Sequence, residues 1–136
     1  MARDHCPFRK TILGGVCACS LAVKAHLPTG CSVTCRDDNA WDRCDDLLSD
    51  MITAAQFTLQ FVKNTDSMTH GKLLKIQHGG LLGLARLVKG EGVTAVDDIH
   101  ALVTSAEQQY SSIQKIPHKD LLNDIAGWQL KRRHSK

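Results

Sequence analysis

Residues 37–63, DDNAWDRCDDLLSDMITAAQFTLQFVK, divide this chain, because helical patterning starts within them and the cysteines stop within them. Trp41, Cys44, Leu48, Met51, Ala55, Leu59 and Val62 recur three or four positions apart, the spacing that gathers side chains onto one face of an α-helix. Asp37, Asp38 and Asn39 ahead of that stripe offer N-cap oxygens and negative charge for a helix N-terminus. Cys44 lies on the stripe, so its thiol faces whatever this helix packs against.

Working towards the C-terminus, a polar stretch over residues 63–68 separates this helix from a second one predicted over residues 69–89. Leu73, Ile76 or Gln77, Gly80, Leu84, Leu87 and Val88 form its apolar stripe. Gly79, Gly80 and Gly83 lie in its interior. Each such glycine costs about 1 kcal/mol relative to alanine. Three together imply close approach of another backbone or of a bound group, a break in the helix being the alternative. Gly90-Glu91-Gly92 ends the element. Thr94-Ala-Val-Asp97 resembles a capping box with Asp in the Glu position and opens a third helix reaching Ser111, with Val96, Ile99, Val103, Ala106 and Tyr110 inward. Pro117 suits the first turn of a last helix over residues 117–133, whose inward residues are Leu121, Leu122, Ile125 and Trp128. Short connections favour antiparallel neighbours. The expected fold is mainly α: an irregular Cys-rich segment, residues 1–36, packed on a small antiparallel four-helix bundle, residues 37–136, in a single domain.

Towards the N-terminus, six cysteines lie between Cys6 and Cys44, and none follows. Compartment decides how they are read. Residues 12–23, after Arg9 and Lys10, have the apolar length of a signal-peptide core, but two cysteines and two glycines interrupt it. Cleavage after it would also leave Cys31, Cys35 and Cys44 as an odd set. No apolar run approaches a membrane span. A cytoplasmic protein is therefore expected, where clustered thiols stay reduced and bind metal more often than they pair, with a secreted disulfide-bearing protein as the minority reading.

Cys17-Ala-Cys19 would place two sulfurs on one side of extended backbone. Cys31 and Cys35, four apart, would share a face of a helix or lie in a loop. No C-x2-C pair occurs, so the spacing departs from common zinc ribbons and from ferredoxin runs alike. Cys6-Pro7 has the Cys-Pro pairing that ends a ferredoxin run, Gly14 and Gly15 would let backbone N–H groups approach sulfurs, and Arg3, Arg9, Lys10, Lys24 and Arg36 would offset anionic charge. These features favour an iron–sulfur cluster of the [4Fe-4S] type. Its predicted ligands are Cys6, Cys35 and Cys44 with Cys17 or Cys19, Cys31 being a spare or exchangeable ligand. His5 and His78 are predicted to stand behind the ligands.

Composition and motifs narrow the function. At 43% hydrophobic and 23% charged residues the chain is globular rather than disordered. A net charge of +3 and 4% aromatics argue against nucleic acid, despite the basic end at Lys131, Arg132, Arg133, His134 and Lys136. The absence of a P-loop, a dinucleotide-binding glycine motif, a nucleophile elbow and a metalloprotease pair points away from an enzyme. The expected function is electron transfer or redox sensing through a protein partner. The alternatives are a zinc-stabilised regulatory interaction module and a metal-free thiol sensor whose resolving pair is Cys17 with Cys19 or Cys31 with Cys35.

Overall fold

In the computed structural model, which describes residues 5–15, 17–28, 30–59, 70–90, 92–93 and 95–127, the chain is mainly helical with one small sheet. It runs α1 (Arg9–Leu13), β1 (Ala22–Leu27), β2 (Gly30–Cys35), α2 (Asp38–Leu59), α3 (His70–Lys89), α4 (Ile99–Tyr110), a 3-10 turn (Ile113–Lys115) and α5 (His118–Gly127). Among the described residues no helix is long and apolar enough to cross a membrane.

Helix α3 has almost no solvated face over its middle. Ile76, Gln77, His78, Gly79, Gly80, Leu81, Gly83, Leu84 and Ala85 are all buried, because α1, α2, α4 and α5 each pack against it. A helix apolar all round belongs in an interior. The three glycines explain how its neighbours come so close. A Cβ on Gly79 would stand 2.7 Å from the Ile125 Cα, one on Gly83 would stand 2.6 Å from the Asp124 carboxylate, and one on Gly80 would collide with the Met51 thioether. The helix is unbroken, and the close approach is that of the α5 backbone and of α2. Arg86, one turn further on, closes the seam. Its Nε donates to Asp124 Oδ1 at 3.2 Å and its terminal nitrogen to Asp124 Oδ2 at 2.7 Å and to the Asp120 carbonyl at 3.2 Å.

Helix α2 presents Ala40, Cys44, Leu47, Leu48, Met51 and Ala55 to the core, as its stripe predicts for Cys44, Leu48, Met51 and Ala55. Trp41 is half-buried, and the Leu59 side chain and Val62 lie outside the described residues. Asp37 caps this helix: its carboxylate accepts from the N–H of Asn39 at 2.8 Å and of Ala40 at 3.3 Å.

Three sequence expectations need correction. Residues 1–36 are not irregular throughout, since they hold α1 and an antiparallel hairpin. Leu27 pairs with Gly30, whose positive φ of 133° suits glycine at the turn. Cys31, Val33 and Cys35 alternate along β2 and so share a strand face, not a helical one. The third helix starts at Ile99 and not at residue 94. Asp98 is extended (φ −152°, ψ 102°) and accepts from the His100 N–H, so the N-cap falls there, while Val96 forms an isolated parallel bridge with Cys17. The last helix is described to Gly127, and the predicted inward Trp128 lies outside the described residues.

Replacing Gly79 by alanine separates propensity from packing. In an exposed helix the change would stabilise by about 1 kcal/mol. Here we expect a loss of about 1–3 kcal/mol, because the added methyl meets backbone that cannot rotate away. A urea midpoint that falls relative to the parent protein is the expected result, and one that rises excludes the close seam.

Candidate metal centre

Four separate pieces of chain carry thiols to one place. Cys6 lies in the turn before α1, Cys19 in the loop before β1, Cys35 at the end of β2 and Cys44 in the second turn of α2. Each is within electrostatic reach of the others. Burial is the main reason that Cys6 is pushed up to about 11, and Cys19 and Cys35 push it in the same direction. Cys19 is raised by burial, then by Asp98 and Cys35. Cys44, the most deeply placed, is raised furthest, by burial and then by Cys6, Cys19 and Cys35, with Arg43 as the one opposing charge. All six cysteines are free thiols. Among the described residues no three His, Cys, Asp or Glu side chains are gathered as ligands of one ion. The four sulfurs share a neighbourhood without already meeting in one coordination sphere.

Local hydrogen bonds fix each carrier. The Cys6 N–H donates to the Val33 carbonyl at 2.8 Å, which docks the first turn on β2. Trp41 donates from its indole to the His5 carbonyl at 2.8 Å, and Gln77 donates to the Pro7 carbonyl at 3.1 Å. Gln77 also accepts from the Thr11 N–H at 3.2 Å, so one buried amide of α3 bonds both the turn after Cys6 and α1. Ala18 is stitched to the segment entering α4: its N–H donates to the Val96 carbonyl at 2.8 Å and its carbonyl accepts from the Ile99 N–H at 2.7 Å. Ser20 N–H donates to Asp98 at 2.9 Å. The Cys35 thiol donates to the Asp37 carbonyl at 3.3 Å, beside the N-terminus of α2.

The remaining predicted site residues lie elsewhere. Cys17 is buried and apart from the four: burial raises it, and the groups that act against burial are the Thr11 hydroxyl and the Val96 backbone. Cys17 is bridged to Val96 and meets the Thr11 hydroxyl, whereas Cys19 meets the Leu21 and His100 backbone and Cys35, so the two have different neighbours. Cys31 is exposed at the far end of β2, four residues from Cys35 and, at about 3.3 Å per residue, on the order of 13 Å away. The N–H groups of Gly14 and Gly15 donate to the carbonyls of Lys10 and Ile12 and so finish α1 instead of addressing a sulfur. His5 is exposed and joins the site through its carbonyl alone.

His78 belongs to a second buried polar group. Its Nδ1 hydrogen-bonds the Thr11 hydroxyl, which also meets the Cys17 sulfur. Burial lowers its pKa from 6.5 to about 4, so the ring is neutral in the core. Sequence reasoning missed Gln77 and Trp41 as clamps on the Cys6 turn. The signal available for the first was a glutamine sharing an apolar stripe.

No protein-family model matches this chain, and no match to it was found among curated proteins or solved structures.

The His78 environment sets a pH dependence. The folded value, about 4, lies below the unfolded 6.5, so between these limits the unfolded chain binds the extra proton. Stability falls as pH drops from 6.5 towards 4, with a slope of up to about 1.4 kcal/mol per pH unit. The variant His78→Gln should flatten that slope in urea titrations at a series of pH values. An unchanged slope would assign the effect to other groups.

Proposed function

We propose that Cys6, Cys19, Cys35 and Cys44 ligate an iron–sulfur cluster and that the protein is a small redox protein, transferring electrons to or sensing redox state for a protein partner. The observation that carries this reading is the nearness of four thiols brought from four segments, close enough that Cys19 and Cys35 act on Cys6 and all three act on Cys44. Cys6, Cys19 and Cys44, whose burial opposes ionisation, gain little from proximity unless something positive takes the place of their protons. A single zinc ion, with bonds of about 2.3 Å, draws its sulfurs into one tight shell, whereas a multinuclear cluster spans more space.

Position supports a redox use. Cys44 lies in the core, while Cys6, Cys19 and Cys35 are half-buried beneath an edge where His5, Ser20, Arg36 and Asp37 are exposed. A centre shielded on one side and near the surface on the other can exchange electrons with a docked partner while water is largely excluded. In this reading the long helices act as an antiparallel bundle supporting the site. The drawing of ligands from four segments also favours a structural zinc ion that ties the N-terminal third to α2, and this is the second reading.

Metal analysis after anaerobic reconstitution separates the two. We expect a brown protein with about four irons and four sulfides per chain, bleached by air. Serine at any of Cys6, Cys19, Cys35 or Cys44 should lower the loading severalfold, while Cys17→Ser and Cys31→Ser should retain it. A colourless protein holding one zinc would establish the structural reading, and loading that survives all four serine variants would reject the site.

A further inference from the structure

Cys31 is the only one of the six cysteines that is exposed, and it is not alone. His26 is its cross-strand partner, and the Cys31 sulfur lies 3.3 Å from His26 Nδ1. The same thiol lines a cavity of about 350 Å³ whose other walls are Arg9, Lys10, Leu13, Gly14 and Leu74. Nucleophile, base, cation pair and a half-open pocket thus come together outside the four-thiol centre. Reactive thiols occupy partly exposed, electropositive surroundings of this kind, and buried thiols such as Cys17 and Cys44 do not.

We propose that Cys31 is a nucleophilic thiol that exchanges with small anionic disulfides, His26 accepting its proton and Arg9 and Lys10 receiving the carboxylates of the incoming molecule. The proton of Cys31 Sγ passes to His26 Nδ1, and the thiolate attacks one sulfur of the disulfide. The new Sγ–S bond forms as the original S–S bond breaks. The departing thiolate takes the proton from the imidazolium, so one disulfide replaces another and no electrons are gained or lost overall. The incoming disulfide is the only oxidant the step requires. Cys31 stands at the hairpin end of the strand that carries Cys35, so thiolation there marks the protein without consuming a ligand of the proposed centre. The exchange does not depend on that centre being present.

The test uses the folded full chain, glutathione disulfide as the anionic probe and bis(2-hydroxyethyl) disulfide as the uncharged one, with adducts located by peptide mass spectrometry. The expected result is first modification at Cys31, with an anionic-to-uncharged rate ratio about tenfold above that of free cysteine and falling as salt is added. The double variant Arg9→Gln, Lys10→Gln should lose that preference, its rate with the anionic probe falling about tenfold further than its rate with the uncharged one. His26→Gln should slow both probes about tenfold near neutral pH, because the thiol loses its proton acceptor. First modification at another cysteine, a preference insensitive both to salt and to the loss of Arg9 and Lys10, or unchanged rates in His26→Gln would each overturn the proposal.

Discussion

The absence of a solvated face over the middle of α3 is the constraint on which this structure rests. A helix buried on all sides must be surrounded, and two of its neighbours, α1 and α2, bring part of the candidate centre with them. Gln77 fixes the turn that holds Cys6, and α2, packed on the same helix, holds Cys44. The α5 seam completes the enclosure, with small residues where two backbones meet and a two-pronged Arg86–Asp124 pair at its end. An arginine fork on a carboxylate fixes angle as well as distance, so this contact orients α5 and does more than attract it.

Around the thiols, electrostatics and packing oppose each other. Burial is the first cause that raises Cys6, Cys19 and Cys44, with neighbouring sulfurs acting in the same direction and Asp98 ahead of them at Cys19, and only Arg43 works the other way at Cys44. Ionising several of these thiols together in a poorly hydrated pocket is unfavourable without a cation. Occupation of such a site is therefore coupled to proton release, which makes affinity for metal rise with pH.

Much of the helical part was legible in the sequence because its signals are local. Asp37 is a cap whose side chain reaches its own helix, and the α2 stripe records one face against one core. The glycine triplet in α3 announced a close approach, although only the fold shows that α5 and Met51 make it. The N-terminal third was less legible. Five residues of α1 are too few to show a period, and cysteine, histidine and lysine on the packed face of the hairpin hide the alternation that marks a strand. At α4 the capping-box pattern from Thr94 to Asp97 pointed to an earlier start, whereas the cap falls on Asp98, which also accepts from Ser20. The choice between Cys17 and Cys19 turned on long-range partners, Val96 and Thr11 for the one and Cys35 and Asp98 for the other, which spacing does not encode.

Ala18 has a role out of proportion to its side chain. Both of its backbone polar groups are committed to the strip between Val96 and Ile99, so the loop bearing Cys19 and the first turn of α4 share the same pegs. Loosening of the sulfur-bearing loop would be felt at once by the start of a helix some eighty residues away in sequence. The two segments form a mechanical linkage, so a displacement of the Cys19 loop would be carried to the outer surface of α4.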